Sequence, residues 1–356
     1  MKLINSMKTI LVILLFVLVR VEGYGQIDFE KKHSDKKLYQ KSTEANKAIL
    51  NGNYGEIHSL LVVKKGKLVY ENYYNGWKKD SLHQAQSVTK SIIATVLGAA
   101  IQQKIIGGIN DRITDYFSSY KSVSEGAQKI KIKDLLTQRH GLKWSERPWN
   151  SPDNNWRNLI NTSGDWYKAI LETPLENNPG SVFNYSNAAP VLISGAIQNA
   201  SGIPIDVFTK KYLFDELDIK EYRFWQGNGG VSKNGMALVF LKSRDLAKIG
   251  QLYLQKGKWD GKQIIPEDFA VKATSSVVKA AESNPMYKQY DYGYFWWVNP
   301  VDRKGKEYDV FMARGAGGQH IIVDPKRDIV IIITAWNLTR PNIVQTIFDN
   351  HIANTD

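Results

Sequence analysis

The sequence predicts a mixed α/β (α+β) fold, in which one antiparallel sheet is built from both ends of the chain and flanked by helices. Runs rich in β-branched and aromatic residues occur at 57–74 and at 308–336, and helical periodicity dominates between them. If the terminal strands pair, the middle becomes an inserted, mainly helical subdomain. We therefore expect one domain over 26–356, with an α/β part at about 50–110 and 260–356 and a helical part at about 111–259.

The first residues have the pattern of a secretory signal peptide. Lys2 and Lys8 precede a ten-residue apolar run at 10–19, and small residues follow around Gly25. Ten apolar residues are too few to span a bilayer. We expect a signal peptide over 1–25 and export to the periplasm or the medium, with no stable membrane span after cleavage; an uncleaved N-terminal anchor is the alternative. The sequence contains no cysteine, which excludes disulfides and a lipoprotein anchor.

Composition limits the partners that the chain can have. The formal net charge is +12, but the lysines are scattered and no arginine-rich run or nucleic-acid-binding motif occurs. We therefore expect no nucleic-acid partner, although an anionic cell-envelope polymer remains compatible with the charge. The six histidines show no metal-ligand spacing. Neither a metal nor an organic cofactor is expected, and no G-x-S-x-G nucleophile elbow is present.

The N-terminal third begins with a charged stretch, 26–50, in which we expect a helix. Two β-rich runs, 57–63 and 67–74, are joined by Lys64-Lys65-Gly66 and predict a hairpin. A buried helix should begin at Ser87, because apolar residues recur at helical spacing after it, at 92, 93, 96, 97, 100 and 101.

The middle of the chain is read as helices and loops. Residues 142–166 stand out, because four tryptophans occur there among Pro, Asp and Asn; we favour the wall of a binding cleft over a structured cap. A turn and short helix are expected at 105–120, further helices at 130–138, 190–200, 206–213, 243–254 (with Ser243 as N-cap) and 266–273, and a loop at 223–235.

The last third turns to strands. Residues 292–298 are rich in aromatic side chains, and we expect strands at 308–314, 319–323 and 329–336, followed by a terminal helix at about 341–353.

The sequence Ser87-Val88-Thr89-Lys90 is a candidate catalytic motif. Residues three apart lie on the same face of a helix, so the two polar side chains can be neighbours. A partly desolvated lysine can lose its proton near neutral pH and then accept the proton of a serine. The alternative is a capping serine beside a solvated lysine, and the tetrad alone does not decide between them.

Two further segments can complete such a site. Tyr185 and Asn187 precede a predicted helix, where a phenol with a pKa lowered by nearby cations can shuttle protons; the alternative is a core tyrosine and an N-cap asparagine. Gly315-Ala316-Gly317-Gly318 follows a predicted strand, and glycine there permits close approach of the backbone to a ligand, with a simple bend as the alternative.

Together these motifs resemble the serine β-lactamase and penicillin-binding-protein superfamily, in which S-x-x-K, Y-x-N and a glycine-bearing strand occur in this order. The resemblance covers about 50–356 and implies a β-lactamase/transpeptidase-like fold. It extends to four more stretches, Leu135 to Leu142 (LLTQRHGL), Phe183 to Asn187 (FNYSN), Ser243 to Ala247 (SRDLA) and Tyr292 to Trp297 (YGYFWW).

The chain is most similar to the class C-related branch, which includes class C β-lactamases, D-Ala-D-Ala carboxypeptidases, serine esterases and 6-aminohexanoate-dimer hydrolases. Stretches 141–146 and 314–319 resemble the last of these. The resemblance implies Ser87 as nucleophile, Lys90 with Tyr185 as base and Tyr185 as proton donor to the leaving group. It also implies that Asn187 binds substrate or Lys90, and that the oxyanion hole is formed by the N–H groups of Ser87 and Ala316.

One departure from the family pattern concerns substrate choice. Ala313-Arg314-Gly315 stands where β-lactamases have K-T-G, and Arg314 is one residue out of phase with the missing lysine on the strand. We therefore expect an exported hydrolase of esters or linear amides in small-molecule or peptide substrates. The alternatives are a β-lactamase or D-Ala-D-Ala peptidase acting on cell-wall peptides, and a non-catalytic envelope-binding module.

Overall fold

The computed structural model describes residues 26–353 except 121–122, 226–233, 280–288, 301–304, 306 and 341. The expected signal peptide, 1–25, lies outside the described residues. The strands are β1 (Asp28–Lys32), β2 (Ile57–Lys64), β3 (Lys67–Tyr73), β4 (His83–Gln84), β5 (Tyr222–Trp225), β6 (Leu238–Leu241), β7 (Lys258–Trp259), β8 (Lys262–Gln263), β9 (Asp291–Tyr292), β10 (Trp297–Val298), β11 (Phe311–Gly315), β12 (Gln319–Asp324) and β13 (Ile329–Ala335).

The helices are interspersed mainly through the middle of the chain. They are Lys36–Leu50, Val88–Gln102, Ile132–Leu136, Asn155–Ile160, Trp166–Leu171, Ala188–Ser201, Ile205–Thr209, Ser243–Leu254, Glu267–Ala273 and Ile343–Ile347, with π-helical turns at Lys210–Phe214 and Phe348–Ile352 and 3-10 turns at Ile113–Tyr116 and Ala127–Lys129.

One eight-stranded sheet joins the two ends of the chain, as predicted. Its strand order is β1-β3-β2-β13-β12-β11-β10-β9, and every pairing is antiparallel except that of β1 with β3. The ends meet where β2 pairs with β13, with Leu61 opposite Ile332. Every residue of β13 is buried, which requires cover on both faces of the sheet.

The helix Val88–Gln102 lies between the sheet and the helical middle of the chain. It contacts β11 and β12 on one side and the helix Ala188–Ser201 on another. All its residues from Val88 to Ala100 are buried, so it is a core helix that is apolar around most of its circumference. This packing fixes the position of Ser87, the residue that directly precedes the helix.

The charged stretch 26–50 is only partly helical. Residues Asp28–Lys32 form an edge strand, and the helix begins at Lys36, with the Asp35 side chain accepting a hydrogen bond of 2.8 Å from the N–H of Leu38. The sequence did not predict this strand, because its Asp, Glu and Lys residues suit a partly exposed edge and show no apolar alternation.

Three other sequence expectations need correction. Ser243 is the first residue of its helix rather than its cap, and its Oγ lies 2.8 Å from Oγ of Ser59 on β2. This helix packs on the sheet, where a Cβ at Gly250 would lie 2.7 Å from Val330 Cγ1, so it lies beside the α/β part and not the helical part. The expected loop at 223–235 begins as strand β5, which pairs with β6.

No single helix among the described residues is both long enough and apolar enough to cross a membrane. One pair, Ala188–Ser201 and Ile205–Phe214, meets these requirements jointly, with a bend of 84° between its members.

Candidate active site

The side chains of Ser87 and Lys90 face each other at the start of the buried helix. The distance from Lys90 Nζ to Ser87 Oγ is 3.4 Å, and Lys90 is 3% exposed. Ser87 occupies the N-cap position, yet its side chain makes no capping hydrogen bond. The arrangement differs from a capping serine beside a solvated lysine. A separation of 3.4 Å is long for a hydrogen bond, as is common for catalytic pairs without substrate.

Tyr185 lies against the same pair. Its hydroxyl group is hydrogen-bonded to Ser87, and Lys90 Nζ lies 4.7 Å from the centre of its ring. The ring stacks on Trp297 of β10 with a centroid distance of 5.6 Å. The phenol is therefore held by its ring while its hydroxyl group faces the serine.

Asn187 connects the lysine to a residue that sequence reasoning did not identify. Its Oδ1 accepts a hydrogen bond of 2.5 Å from Lys90 Nζ, and its Nδ2 donates one of 2.7 Å to Oε2 of Glu146. Oε1 of Glu146 also accepts from the N–H of Asn187 at 2.5 Å and from Trp144 Nε1 at 2.7 Å. Asn187 occupies the N-cap position of the helix Ala188–Ser201, but its side chain does not cap it.

A second set of hydrogen bonds fixes the segment between Tyr185 and Asn187. Gln138 accepts from the N–H of Ser186 through Oε1 at 2.9 Å and donates to its carbonyl oxygen through Nε2 at 3.1 Å. Nδ1 of His140 accepts from the N–H of Leu142, so its Nε2–H donates to Ser186 Oγ at 2.9 Å. Burial lowers the pKa of His140 to about 4, which keeps this ring neutral.

Burial dominates the electrostatics of the candidate site. It lowers the pKa of Lys90 to about 8, against the opposing effect of the nearby Glu146 carboxylate. Burial also raises the pKa of Glu146, although Lys90 and the hydrogen bonds from Asn187 and Trp144 oppose that rise. The pKa of Tyr185 rises to about 12, because burial outweighs the hydrogen bond to Ser87 and the field of Arg314. The expected lowering of the phenol pKa is therefore wrong.

The glycine-bearing turn after β11 approaches the backbone that leads into Ser87. A Cβ atom at Gly315 would lie 2.5 Å from the carbonyl oxygen of Ala85, so only glycine fits there. Ala316 follows in the turn, which the hydrogen bond from Gly318 N–H to Gly315 O closes. Within the described part of the chain, the N–H groups of Ser87 and Ala316 have no protein acceptor.

Arg314 lies on the aromatic wall beside Tyr185. Its guanidinium carbon is 4.3 Å from the ring centre of Tyr290 and 5.9 Å from that of Trp297, and Nε donates to His320 Nε2 at 3.2 Å. Because Trp297 also stacks on Tyr185, the cation is near the phenol despite its shifted position on the strand.

A cavity of about 390 Å³ opens beside Ser87, Lys90 and Asn187. Among the described residues that line it, Lys90 is the only charged one, and most of the described wall is apolar or aromatic. The 142–166 segment contributes Trp149 and Trp156, so it forms part of a cleft wall, and it also contains the helix Asn155–Ile160. The remaining apolar lining comes from Ile93, Ile160, Pro190, Val191, Trp225, Ala237, Leu238 and Phe240.

The described residues contain no group of three or more His, Cys, Asp or Glu side chains that could hold a metal ion. The functional groups brought together at the candidate site are a serine hydroxyl, an amine, a phenol and a buried carboxylate.

Comparison with known proteins assigns this fold to a family. The sequence profile described as Beta-lactamase matches residues 58–344, more than half of the chain. The chain belongs to the β-lactamase family. The members of this family are serine hydrolases that act on amide or ester bonds, and the resemblance and fold class expected from the sequence are confirmed.

Individual relatives of this β-lactamase family protein are distant in sequence. A 6-aminohexanoate-dimer hydrolase of Paenarthrobacter ureafaciens is 23% identical over 298 residues, covering 78% of this chain and 72% of the relative. The structure of a hydrolase with promiscuous acyltransferase activity has a TM-score of 0.72 and 16% identity, and the match covers 88% of this chain and 98% of that chain. A D-stereospecific amidohydrolase from Streptomyces sp. has a TM-score of 0.67, with 16% identity and coverage of 89% and 99%.

Proposed function

We propose that this protein is an exported serine hydrolase that cleaves ester or linear amide bonds of small substrates through an acyl-enzyme. The observation that carries the proposal is the contact of Ser87 with Lys90. Burial lowers the pKa of this lysine to about 8. An amine with that pKa is partly neutral at physiological pH and can accept the serine proton.

In the acylation step, Ser87 Oγ bonds to the substrate carbonyl carbon while its proton passes to Lys90 Nζ. The N–H groups of Ser87 and Ala316 are the proposed donors to the resulting oxyanion. The bond from the carbonyl carbon to the leaving oxygen or nitrogen then breaks, and Tyr185, whose raised pKa of about 12 keeps the phenol protonated, donates a proton to that leaving atom. The proton on Lys90 then restores the phenol.

In the deacylation step, water attacks the acyl carbon and the ester bond to Ser87 Oγ breaks. The water proton passes through Tyr185 and Lys90 to the departing Oγ, which regenerates the free serine. Asn187 holds Lys90 in place throughout, because its amide oxygen accepts from Nζ. Each step is balanced by the side chains, water and substrate alone.

The cavity supports a substrate with an uncharged, apolar acyl group. Its volume of about 390 Å³ suits a small ligand, and three tryptophans, Trp149, Trp156 and Trp225, line it. A charged acyl group would lose hydration there, and Lys90, the proposed base, is the one ion-pair partner among the described lining residues. The name of the Paenarthrobacter relative, 6-aminohexanoate-dimer hydrolase, supports hydrolysis of an amide bond; it does not support an uncharged acyl group, because an aminohexanoyl group carries an amine.

The position of Arg314 favours a second candidate, a β-lactamase or D-Ala-D-Ala peptidase. Such substrates carry a carboxylate, and a guanidinium group beside the Tyr185–Trp297 stack is a cation that can bind one. In that case the substrates are peptides of the cell envelope, which agrees with proposed export.

A substrate panel separates these functions. The panel measures turnover of p-nitrophenyl esters, linear amides, nitrocefin and a D-Ala-D-Ala peptide. It compares the wild type with Ser87→Ala and with the control Ser119→Ala, because Ser119 is exposed and lies outside the site. We expect Ser87-dependent turnover of esters and amides with little turnover of nitrocefin. Faster turnover of nitrocefin or the peptide would favour the second candidate. Turnover that survives in Ser87→Ala, or no turnover and no labelling by a fluorophosphonate probe, would contradict the proposed function.

A further inference from the structure

Glu146 is a carboxylate held behind the candidate catalytic residues. Both of its oxygens are occupied: Oε1 accepts from Trp144 Nε1 and from the N–H of Asn187, and Oε2 accepts from Asn187 Nδ2. Its backbone is also fixed, because the buried Asn154 donates from Nδ2 to the Glu146 carbonyl oxygen at 2.8 Å. A carboxylate with this many partners has one orientation.

The contact with Nδ2 decides which way the Asn187 amide points. A carboxylate only accepts hydrogen bonds, so the amide must present its NH₂ group to Glu146 and its oxygen to the opposite side. On that side Oδ1 accepts from Lys90 Nζ at 2.5 Å. If the amide were reversed, its NH₂ group would face the ammonium group of Lys90, which has no acceptor when protonated.

We propose that Glu146 is a positioning residue, which fixes the Asn187 amide toward Lys90 and places a negative charge next to the lysine. This inference rests on the proposed function, in which Lys90 is the base. Glu146 touches no reacting atom, and it acts through Asn187 and through its field. Its charge opposes the effect of burial on Lys90 and thereby limits the fall of the lysine pKa.

The other charged and titratable groups around this pair are few. Tyr185 faces Lys90 from the segment before the helix Ala188–Ser201, and Glu146 raises the phenol pKa. Arg147 and Arg314 both act on Tyr185 in the opposite direction. A change in charge at Glu146 should therefore change the pKa values of both Lys90 and Tyr185. The change at Lys90, the proposed base, should appear on the low-pH side of the activity profile.

The test compares Glu146→Gln with Glu146→Asp. The first variant removes the charge and replaces one of the two acceptor oxygens by an NH₂ group, so that one of the donors from Asn187 or Trp144 loses its acceptor. The second keeps the charge but shortens the side chain. In Glu146→Gln we expect kcat to fall about 10-fold or more and the acid limb of kcat/KM to move about one unit to lower pH. In Glu146→Asp we expect a fall in kcat with the acid limb unmoved.

Asp134→Asn is the matched control, because Asp134 is also a buried carboxylate but serves a helix N-terminus, where it accepts from the N–H of Lys131 at 2.9 Å. Its acid limb should stay at the wild-type pH. An unshifted acid limb or an unchanged kcat in Glu146→Gln would overturn the inference. Should Glu146→Gln fail to fold, as judged by circular dichroism, an unchanged kcat in Glu146→Asp overturns it. If Ser87→Ala retains turnover, the proposed function fails instead.

Discussion

Lys90 and Asn187 are joined by a hydrogen bond of 2.5 Å, from Nζ to the amide oxygen. The direct acceptor of the buried amine is thus a neutral amide. The carboxylate of Glu146 is linked to the lysine only through this amide, because it accepts from Asn187 Nδ2. A carboxylate in direct contact would favour the ammonium form more strongly. This arrangement holds the lysine in place while its pKa remains low enough for it to act as a base.

The first prediction concerns pH. Only neutral Lys90 accepts the serine proton, and its neutral fraction grows as the pH increases through its pKa of about 8, so kcat/KM should rise over that range. Lys90→Arg should lower kcat/KM by about 10²- to 10⁴-fold at all pH values, because guanidinium stays protonated. The measurement is a pH profile of ester hydrolysis. A profile with no rise between pH 6 and pH 9, roughly one unit or more either side of the lysine pKa, would contradict the role of Lys90.

The second prediction separates leaving groups. Tyr185→Phe removes the proton donor, so hydrolysis of an alkyl amide should fall by about 10²- to 10⁴-fold. A p-nitrophenyl ester should lose much less, because p-nitrophenolate leaves without being protonated. Steady-state kinetics on the two substrates give the ratio. Equal losses on both would show that Tyr185 does not protonate the leaving group.

The third prediction tests the close approach at the glycine turn. Gly315→Ala would place a Cβ atom 2.5 Å from Ala85 O, and the resulting shift should lower kcat and cost about 1–3 kcal/mol of stability. Gly108→Ala is the control, since a Cβ there meets no atom within 4 Å. Chemical denaturation and ester turnover are measured for both. Wild-type values in Gly315→Ala would exclude a tight contact between this turn and the Ser87 segment.

The fourth prediction concerns the tryptophan-lined cavity. Trp225→Ala should reduce kcat/KM for longer acyl esters by about 10-fold or more while acetyl esters change little, because only longer acyl groups reach the cavity wall. Tyr39→Ala, which alters an exposed aromatic residue outside the cavity, is the control. The measurement is a series of p-nitrophenyl esters of increasing chain length. A uniform loss across the series would place the acyl group elsewhere.

Periodicity and local motifs predicted much of the fold. The β2–β3 hairpin and the helix after Ser87 were predicted because their apolar residues recur at fixed spacing. The sheet built from both chain ends followed from the placement of the β-rich runs. The polar edge strand β1 and the short strand β5 were missed, because their exposed positions carry no sustained pattern.

The interior of the candidate site was less predictable. Glu146 lies in a polar loop, and nothing in its sequence surroundings signals that it packs behind Asn187, a residue about forty positions away. The stretch 141–146 resembles 6-aminohexanoate-dimer hydrolases, but that resemblance gave no role to Glu146, and only the structure shows that the Trp144 side chain donates to it. The Tyr185 pKa was misjudged because sequence shows nearby cations but not burial, which is the larger effect.

The central claim is that Ser87 forms the acyl-enzyme, and intact-mass spectrometry of a rapidly quenched ester reaction tests it most directly. The wild type and Ser119→Ala should both gain the mass of one acyl group, and peptide mapping should place it on Ser87. Ser87→Ala should gain none. An acyl adduct that persists in Ser87→Ala, or that maps to another residue in the wild type, would contradict the account.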